Sequence, residues 1–99
     1  MNYSFHPNAE KELNEAIAYY DECRNGLGLE FAKEVYLAIQ TILSFPYAWS
    51  PLSANTRRCL TNRFPYGVIY QITDEEVFII AVMHLNRGPG YWKKREKKA

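Results

Sequence analysis

The stretch that decides the fold is YGVIYQITDEEVFIIAVMH, residues 66–84. Its first half places aromatic and aliphatic side chains at every second position from Tyr66 to Ile72, which is the period of a strand. Asp74 and Glu75 interrupt this alternation. The run that follows, residues 77–84, is apolar on both faces, as expected of a strand in the middle of a sheet. The stretch therefore predicts an antiparallel hairpin.

The segments on either side extend the hairpin. Residues 57–62 also alternate and add a third strand to an antiparallel meander. Residues 47–55 contain Pro51, two serines and Trp49, and are predicted to form a loop. At the other end of the chain, residues 2–5 alternate and predict a short edge strand that ends at Pro7.

Two helices are predicted between these strands. From residue 9 to residue 20 apolar side chains recur at spacings of three and four, with Asn8 as a plausible N-cap and Asn25-Gly26 as the end. A second helical pattern occupies residues 28–45, before Pro46. The order predicts an α+β fold with a helical hairpin on one face of a small curved sheet. We expect one domain over residues 1–92 and a basic tail over residues 93–99.

Charge is divided unevenly along the 99 residues, although the formal net charge is only +1. Residues 1–34 hold seven acidic and three basic side chains, whereas residues 87–99 hold six basic side chains and one acidic one. The acidic helical half would repel nucleic acid, so an anionic target is expected to approach the basic half. The lysine-rich end is more typical of a solvated tail than of a binding arm.

The location of the protein follows from its cysteines and apolar runs. Cys23 and Cys59 are too few for a typical disulfide-stapled secreted domain and are expected to be core or half-buried residues. The opening residues resemble no signal peptide, and the longest apolar run has seven residues, residues 77–83. We expect a cytoplasmic protein without a membrane partner.

Common catalytic motifs are absent from the sequence. There is no glycine-rich phosphate loop, no nucleophile elbow, no C-x-x-C motif and no pair of histidines at metal-binding spacing. No cofactor or metal is expected. The remaining candidates stand on or after one strand (Arg57, Arg58 and Arg63) and at the end of another (His84, Arg87, Tyr91 and Trp92), with Lys93 and Lys94 behind them.

These residue types suit a nucleic-acid or phosphate surface. Guanidinium groups pair with phosphate, an imidazole moves a proton near neutral pH, and Tyr or Trp stacks a base. They are also the groups that a metal-free ribonuclease requires. The alternative is that the arginines are a solvated edge that discourages strand pairing, and that His84 is structural. Tyr66 and Tyr70 share a face and are expected to pack in the core.

Three phrases carry a family resemblance. They are His6-Pro7 followed by Ala9-x-x-x-Leu13, RFPYGVIY at residues 63–70, and HLNRGPGYW at residues 84–92. With the two helices and the meander, they resemble the RelE/ParE superfamily of toxins from bacterial type II toxin-antitoxin systems. The resemblance implies a small toxin held inactive by a cognate antitoxin, whose partly disordered segment wraps the sheet and helices.

The resemblance leaves two targets open. RelE-like members cleave messenger RNA on the ribosome, and Arg58, Arg87 and Tyr91 stand at positions similar to theirs. Gly67 and Leu60, however, stand where the RNA-cleaving relatives carry cations, and the loss of two such groups would weaken a phosphate site.

ParE-like members instead inhibit DNA gyrase by binding, and need no catalytic set. The missing cations favour the gyrase reading, with contacts from Arg57, Arg63, Trp92, Lys93 and Lys94. A ribonuclease that also uses His84 is the alternative, and an inactive antitoxin-binding member is a third possibility.

Overall fold

Five strands form one sheet, with the hairpin of residues 66–84 near its middle. The computed structural model of the chain describes residues 1–97, so Lys98 and Ala99 of the predicted tail lie outside the described residues. The elements are β1 (Asn2–Phe5), α1 (Pro7–Cys23), α2 (Leu27–Ser44), β2 (Pro51–Ser53), β3 (Thr56–Leu60), β4 (Tyr66–Thr73), β5 (Glu76–His84) and a 3₁₀ turn (Lys93–Arg95). The predicted α+β fold is confirmed.

The strand order is β1-β5-β4-β3-β2. Strands β3, β4 and β5 form the predicted antiparallel meander, and β1 pairs in parallel with β5. The loop prediction for residues 47–55 is wrong at β2, which pairs antiparallel with β3. This strand has only three residues and begins with Pro51, which has no N–H to donate, so its sequence pattern resembles a loop and its place is at the edge.

A bulge in β5 changes which of its side chains point to each face of the sheet. Ile69 lies opposite Ala81 and Tyr70 lies opposite Ile79, so Ile80 is an extra residue without a partner on β4. As a result Ile79 packs in the core beneath the helices, while Ile80 and Ala81 both pack in a second cluster on the opposite face. This second face needs its own cover.

The helical hairpin covers the first face. Phe31 and Ile42 of α2 are fully buried against Tyr70 and Ile79 of the sheet. The two helices cross closely at Gly28, where a Cβ atom would lie 2.4 Å from the carbonyl oxygen of Ile17. The core position predicted for Tyr70 is confirmed.

The N-cap of α1 is His6 and not the predicted Asn8. The Nδ1 atom of His6 accepts a hydrogen bond from the Asn8 N–H at 3.0 Å, and Pro7 occupies the first turn. An imidazole nitrogen thus accepts the capping hydrogen bond that a hydroxyl or carboxylate oxygen usually accepts. Cys59 is buried as expected, but Cys23 is exposed near the end of α1.

Residues 91–97, which we call the C-terminal segment, cover the second face. Trp92 is only 4% exposed and packs among the side chains of that face. Gln71 exchanges two hydrogen bonds with the Lys97 backbone, at 2.8 and 3.1 Å. The Glu96 carboxylate accepts from the hydroxyls of Ser53 and Thr56. Residues 93–97 of the predicted solvated tail are therefore bound to the sheet, because its second face offers apolar and polar partners.

Candidate functional site

The sheet separates Arg58 from the other predicted catalytic residues, of which His84 and Arg87 line one small cleft. His84 lies opposite Tyr66 in the register and its ring packs edge-on against the Tyr66 ring, 5.1 Å between centroids, on the helical face. Arg58 belongs to the other face, where it borders a cleft with Met83 and Trp92. The sequence could place both residues near strand ends, but their faces depend on register. The two residues therefore cannot act on one phosphate together.

Arg87 is engaged by a glutamate that the sequence analysis missed. Its Nη1 atom lies 3.2 Å from Oε2 of Glu12, and its guanidinium carbon lies 3.6 Å from the centroid of the Tyr91 ring. Arg95 binds the same carboxylate through both Nη atoms, at 3.0 and 3.1 Å. Glu12 also accepts the Val82 N–H at 3.0 Å. The Arg87 guanidinium thus contacts a carboxylate, whereas a nuclease would need it to contact the phosphate of the substrate.

Glu12 was missed because it looks like one more acidic residue of α1. The available signal was its place on the helix, three residues after Ala9 and four before Ala16, both of which are buried. This puts the carboxylate beside the apolar stripe, where only 12% of the side chain is exposed. A carboxylate so placed requires a cationic partner.

Tyr91 is poorly suited to proton transfer. Its hydroxyl is buried, and among residues 1–97 no hydrogen-bond partner reaches it. Burial, followed by the neighbouring Glu12 carboxylate, raises the pKa of Tyr91 far above its ordinary value. The other candidate, His84, accepts the Asn86 N–H at its Nδ1 atom, at 3.0 Å. The Tyr91 hydroxyl is thus buried, whereas His84 is half-buried and lines the cleft that contains Arg87.

Arg63 and Arg57 also have structural partners. The Arg63 Nε atom lies 2.6 Å from Oε2 of Glu34, and its Nη1 atom lies 3.1 Å from Glu30. Arg57 donates to the carbonyl of Trp49 and lies over the Tyr47 ring, 5.3 Å from its centroid. Arg63 thus joins the turn after β3 to α2, and Arg57 joins β3 to the segment around Tyr47 and Trp49.

Glu34 is held ionised by these contacts. Burial alone would raise the pKa of its carboxyl, but hydrogen bonds from the backbone and guanidinium of Arg63 and from the Asn62 N–H outweigh burial and lower the pKa. The Glu34 carboxylate therefore caps the turn between β3 and β4.

Three cations of the basic half remain available. Within residues 1–97, Arg58, Lys93 and Lys94 make no side-chain hydrogen bond or salt bridge. Lys97 makes none either, but its Nζ atom lies over the Phe78 ring, 4.2 Å from the centroid. A Cβ at Gly67 would lie 3.0 Å from both Cγ and Cδ of Arg58, so the arginine stem lies directly across that glycine. Lys93 and Lys94 are exposed, whereas Trp92 beside them is buried and offers no free ring for stacking.

An apolar groove lies elsewhere, between α2 and β3. It encloses about 650 Å³ and is lined by Leu37, Ala38, Trp49 and Leu60, with charged side chains along its rim. Leu37 is 61% exposed and Leu60 is 51% exposed. Exposed apolar side chains that form a continuous groove are typical of an interaction site.

Comparison with known proteins assigns the family. Residues 3–88 match the family model described as the ParE toxin of the type II toxin-antitoxin system, parDE. The chain belongs to the ParE toxin family. The match covers both helices and all five strands except Asn2 at the start of β1, and the C-terminal segment lies beyond it. The predicted membership of the RelE/ParE superfamily is confirmed.

Individual relatives of this ParE-family toxin agree with the family model. Toxin ParE2 of Mycobacterium tuberculosis, found in strains CDC 1551 / Oshkosh and ATCC 25618 / H37Rv, is 32% identical over 85 residues, which cover 85% of this chain and 81% of the relative. A solved structure titled the chromosomal ParDE TA system from P. aeruginosa superposes with a TM-score of 0.76 over 87% of this chain and 97% of the other. Its 11% identity supports the shared fold alone.

In the described part of this ParE-family toxin, residues 1–97, neither helix has the length and apolar character needed to cross a membrane.

Proposed function

We propose that this ParE-family toxin arrests growth by binding DNA gyrase, and that a cognate antitoxin, the partner that its family implies, neutralises it. The observation that carries the proposal is the pairing of Arg87 with Glu12 at 3.2 Å. A guanidinium whose charge is already partly offset by a carboxylate stabilises the charge that develops on a phosphate less well. Inhibition by binding makes no such demand.

The remaining candidate groups support the same choice. Of the residues that a ribonuclease would use, His84 lies on the helical face, Arg58 lies on the opposite face, and Tyr91 has a buried hydroxyl. General acid–base catalysis needs donor and acceptor within hydrogen-bond reach of one substrate. A binding toxin can instead use the unpaired cations of the second face, Arg58, Lys93 and Lys94.

The experiment combines two assays of the purified chain. We expect it to inhibit supercoiling of relaxed plasmid by gyrase, and to leave the 5′ ends of cellular messenger RNA unchanged after induction. An Arg58→Gln/Lys93→Gln variant should inhibit at least about tenfold less, from the loss of two charge-assisted contacts. Lys11→Gln, on the exposed side of α1, is the matched control. New RNA ends that disappear in Arg87→Ala, with normal supercoiling, would contradict the proposal.

For the antitoxin we propose the groove between α2 and β3. An amphipathic segment could place apolar side chains against Leu37 and Leu60, which are already exposed in the free toxin. Leu37→Glu should then abolish rescue of growth by the short reading frame expected beside this one, while toxicity persists. Leu29→Glu, equally exposed on α2 but outside the groove, should leave rescue intact.

A further inference from the structure

A small cleft on the second face of the sheet combines unpaired positive charge with apolar walls. It encloses about 270 Å³ and is lined by Leu52, Arg58, Met83, Pro89, Gly90, Trp92 and Lys93. We infer that this cleft, called here the Arg58–Lys93 cleft, binds a carboxylate side chain that is adjacent to an apolar side chain in an exposed segment of the toxin's protein target. The inference rests on the proposed binding mode and specifies what is recognised.

The charge of Arg58 is the first support. The other five arginines of residues 1–97 each have an acceptor: Arg24, Arg63, Arg87 and Arg95 pair with glutamates, and Arg57 donates to a carbonyl. Arg58 alone in the described part of the chain has none. A half-buried guanidinium beside apolar walls gains strongly from an ionised acceptor.

The acidic residue of the C-terminal segment already has partners of its own. The Glu96 carboxylate accepts from Ser53, at 2.6 Å, and from Thr56, and it does not line the cleft. None of the residues that line the cleft is acidic. An acceptor for Arg58 must therefore come from another molecule.

The backbone favours access to the cleft. Gly67 lets the Arg58 stem cross β4, since a Cβ there would meet Cγ and Cδ at 3.0 Å. Lys93 folds back over Gly90, where a Cβ would lie 3.2 Å from its Cε atom. The two glycines thus leave room for both cationic side chains to line one opening.

The size and walls of the cleft favour a peptide over a nucleotide. A volume of about 270 Å³ falls below the usual range of nucleotide-sized pockets and suits one or two amino-acid side chains. Trp92, its one aromatic residue, is 4% exposed and cannot stack a base. Leu52 and Met83 instead provide contacts for an aliphatic side chain next to the carboxylate.

The test is a titration of the full-length chain with short peptides. Binding is monitored by the NMR signals of the arginine Nε–H groups and the methionine methyl groups. The probes are Ac-Glu-Leu-NH₂, Ac-Gln-Leu-NH₂ and Ac-Glu-Gly-NH₂. We expect saturable shifts at Arg58 and Met83 with the first peptide. Binding should be at least about tenfold weaker without the carboxylate and about three- to tenfold weaker without the leucine.

Variants assign these shifts to the cleft. Arg58→Gln should abolish them and Lys93→Gln should reduce them, whereas Arg24→Gln, on the helical hairpin, should leave them unchanged. Equal binding of Ac-Glu-Leu-NH₂ and Ac-Gln-Leu-NH₂, or shifts that persist in folded Arg58→Gln, would overturn the inference. Tighter binding of a ten-nucleotide oligo-dT than of the acidic peptide, lost in Arg58→Gln, would also overturn it.

The peptide titration does not use gyrase, so the two proposals fail separately. A chain that binds Ac-Glu-Leu-NH₂ through Arg58 but leaves supercoiling unchanged would overturn gyrase as the target and uphold the cleft. A chain that inhibits supercoiling equally well with Arg58→Gln would overturn the cleft's role and uphold the target.

Discussion

The Nη1 atom of Arg95 lies 3.0 Å from the Oε1 atom of Glu12, a contact between residues 83 positions apart. Both side chains are largely buried, at 13% and 12% exposure. Because the same arginine also donates to the carbonyl of Ile80 at 3.0 Å, it joins α1, β5 and the C-terminal segment. This ion pair therefore holds the cover of the second face in place.

Glu12→Gln should destabilise the toxin by roughly 2 to 3 kcal/mol. The change leaves the Arg95 charge, at 13% exposure, without a carboxylate, and the loss of one member of a buried pair is costly. The measurement is urea unfolding at pH 7. Glu15→Gln, on the exposed side of the same helix, should shift the free energy of unfolding by less than about 0.5 kcal/mol. Equal effects of the two variants would contradict the role of Glu12.

Glu34 should make stability depend on pH in the acidic range. Its pKa in the folded chain is below the ordinary value of 4.5, so its stabilising effect is fully present above the unfolded pKa and is lost as pH falls through the folded pKa. The difference in unfolding free energy between wild type and Glu34→Gln should be constant above about pH 5.5 and shrink below it. We expect about 1 to 3 kcal/mol at pH 7, because Asn62 and Arg63 lose a charged acceptor.

The control for Glu34 is Glu30, which binds the same arginine but is 37% exposed. A surface pair of this kind contributes about 0 to 1 kcal/mol, so Glu30→Gln should have a small effect at every pH. An unfolding free energy of Glu34→Gln that parallels wild type down to pH 3 would show that the carboxylate does not titrate as described.

Tyr70→Phe should cost about 1 kcal/mol at neutral pH, because the fully buried hydroxyl donates to the Pro46 carbonyl at 2.6 Å. Burial raises the pKa of Tyr70 to about 12. The unfolded chain therefore loses this proton first as pH rises above about 10, and stability declines from there towards pH 12. In Tyr70→Phe this alkaline decline should be shallower. Thermal unfolding at pH 8 to 11 measures it, with the exposed Tyr36→Phe expected to behave like wild type.

Trp92→Ala should cost about 3 to 5 kcal/mol, since it removes a large buried side chain from the second face. Lys94→Ala, two residues away and exposed, should change stability by less than about 0.5 kcal/mol. Unfolding followed by far-UV circular dichroism compares the two. Similar midpoints would mean that the C-terminal segment does not stabilise the sheet.

Much of the fold could be read from local periodicity. The alternation of residues 66–73 and the apolar run of residues 77–84 predicted β4 and β5, and three-four spacing predicted both helices. Strand β2 was not predicted, because three residues that include a proline are too few to show the alternation of a strand. The burial of both faces of β5 was predicted from its apolar sequence, but the bulge at Ile80 was not, because it depends on pairing with β4.

The candidate site was less accessible to sequence reasoning. Arg58, His84, Arg87 and Tyr91 were predicted from their chemistry alone, but the groups that surround a side chain come from distant parts of the chain. Glu12 neutralises Arg87 from α1, and Glu34 engages Arg63 from α2. Such pairings follow from helix packing and strand register, neither of which a residue's neighbours in sequence specify.

The amino-acid order was sufficient for the class of fold, the acidic and basic halves and the toxin superfamily, because each is written in local spacing or in short contiguous phrases. The tertiary structure decided which cations are free. The sequence alone does not distinguish which of the six arginines are paired. Within residues 1–97, packing brings carboxylates or a carbonyl to five of them. Arg58, which lies across Gly67, has no acceptor there. The physical reason is that an ion pair is a property of distance in space, and chain separation does not determine it.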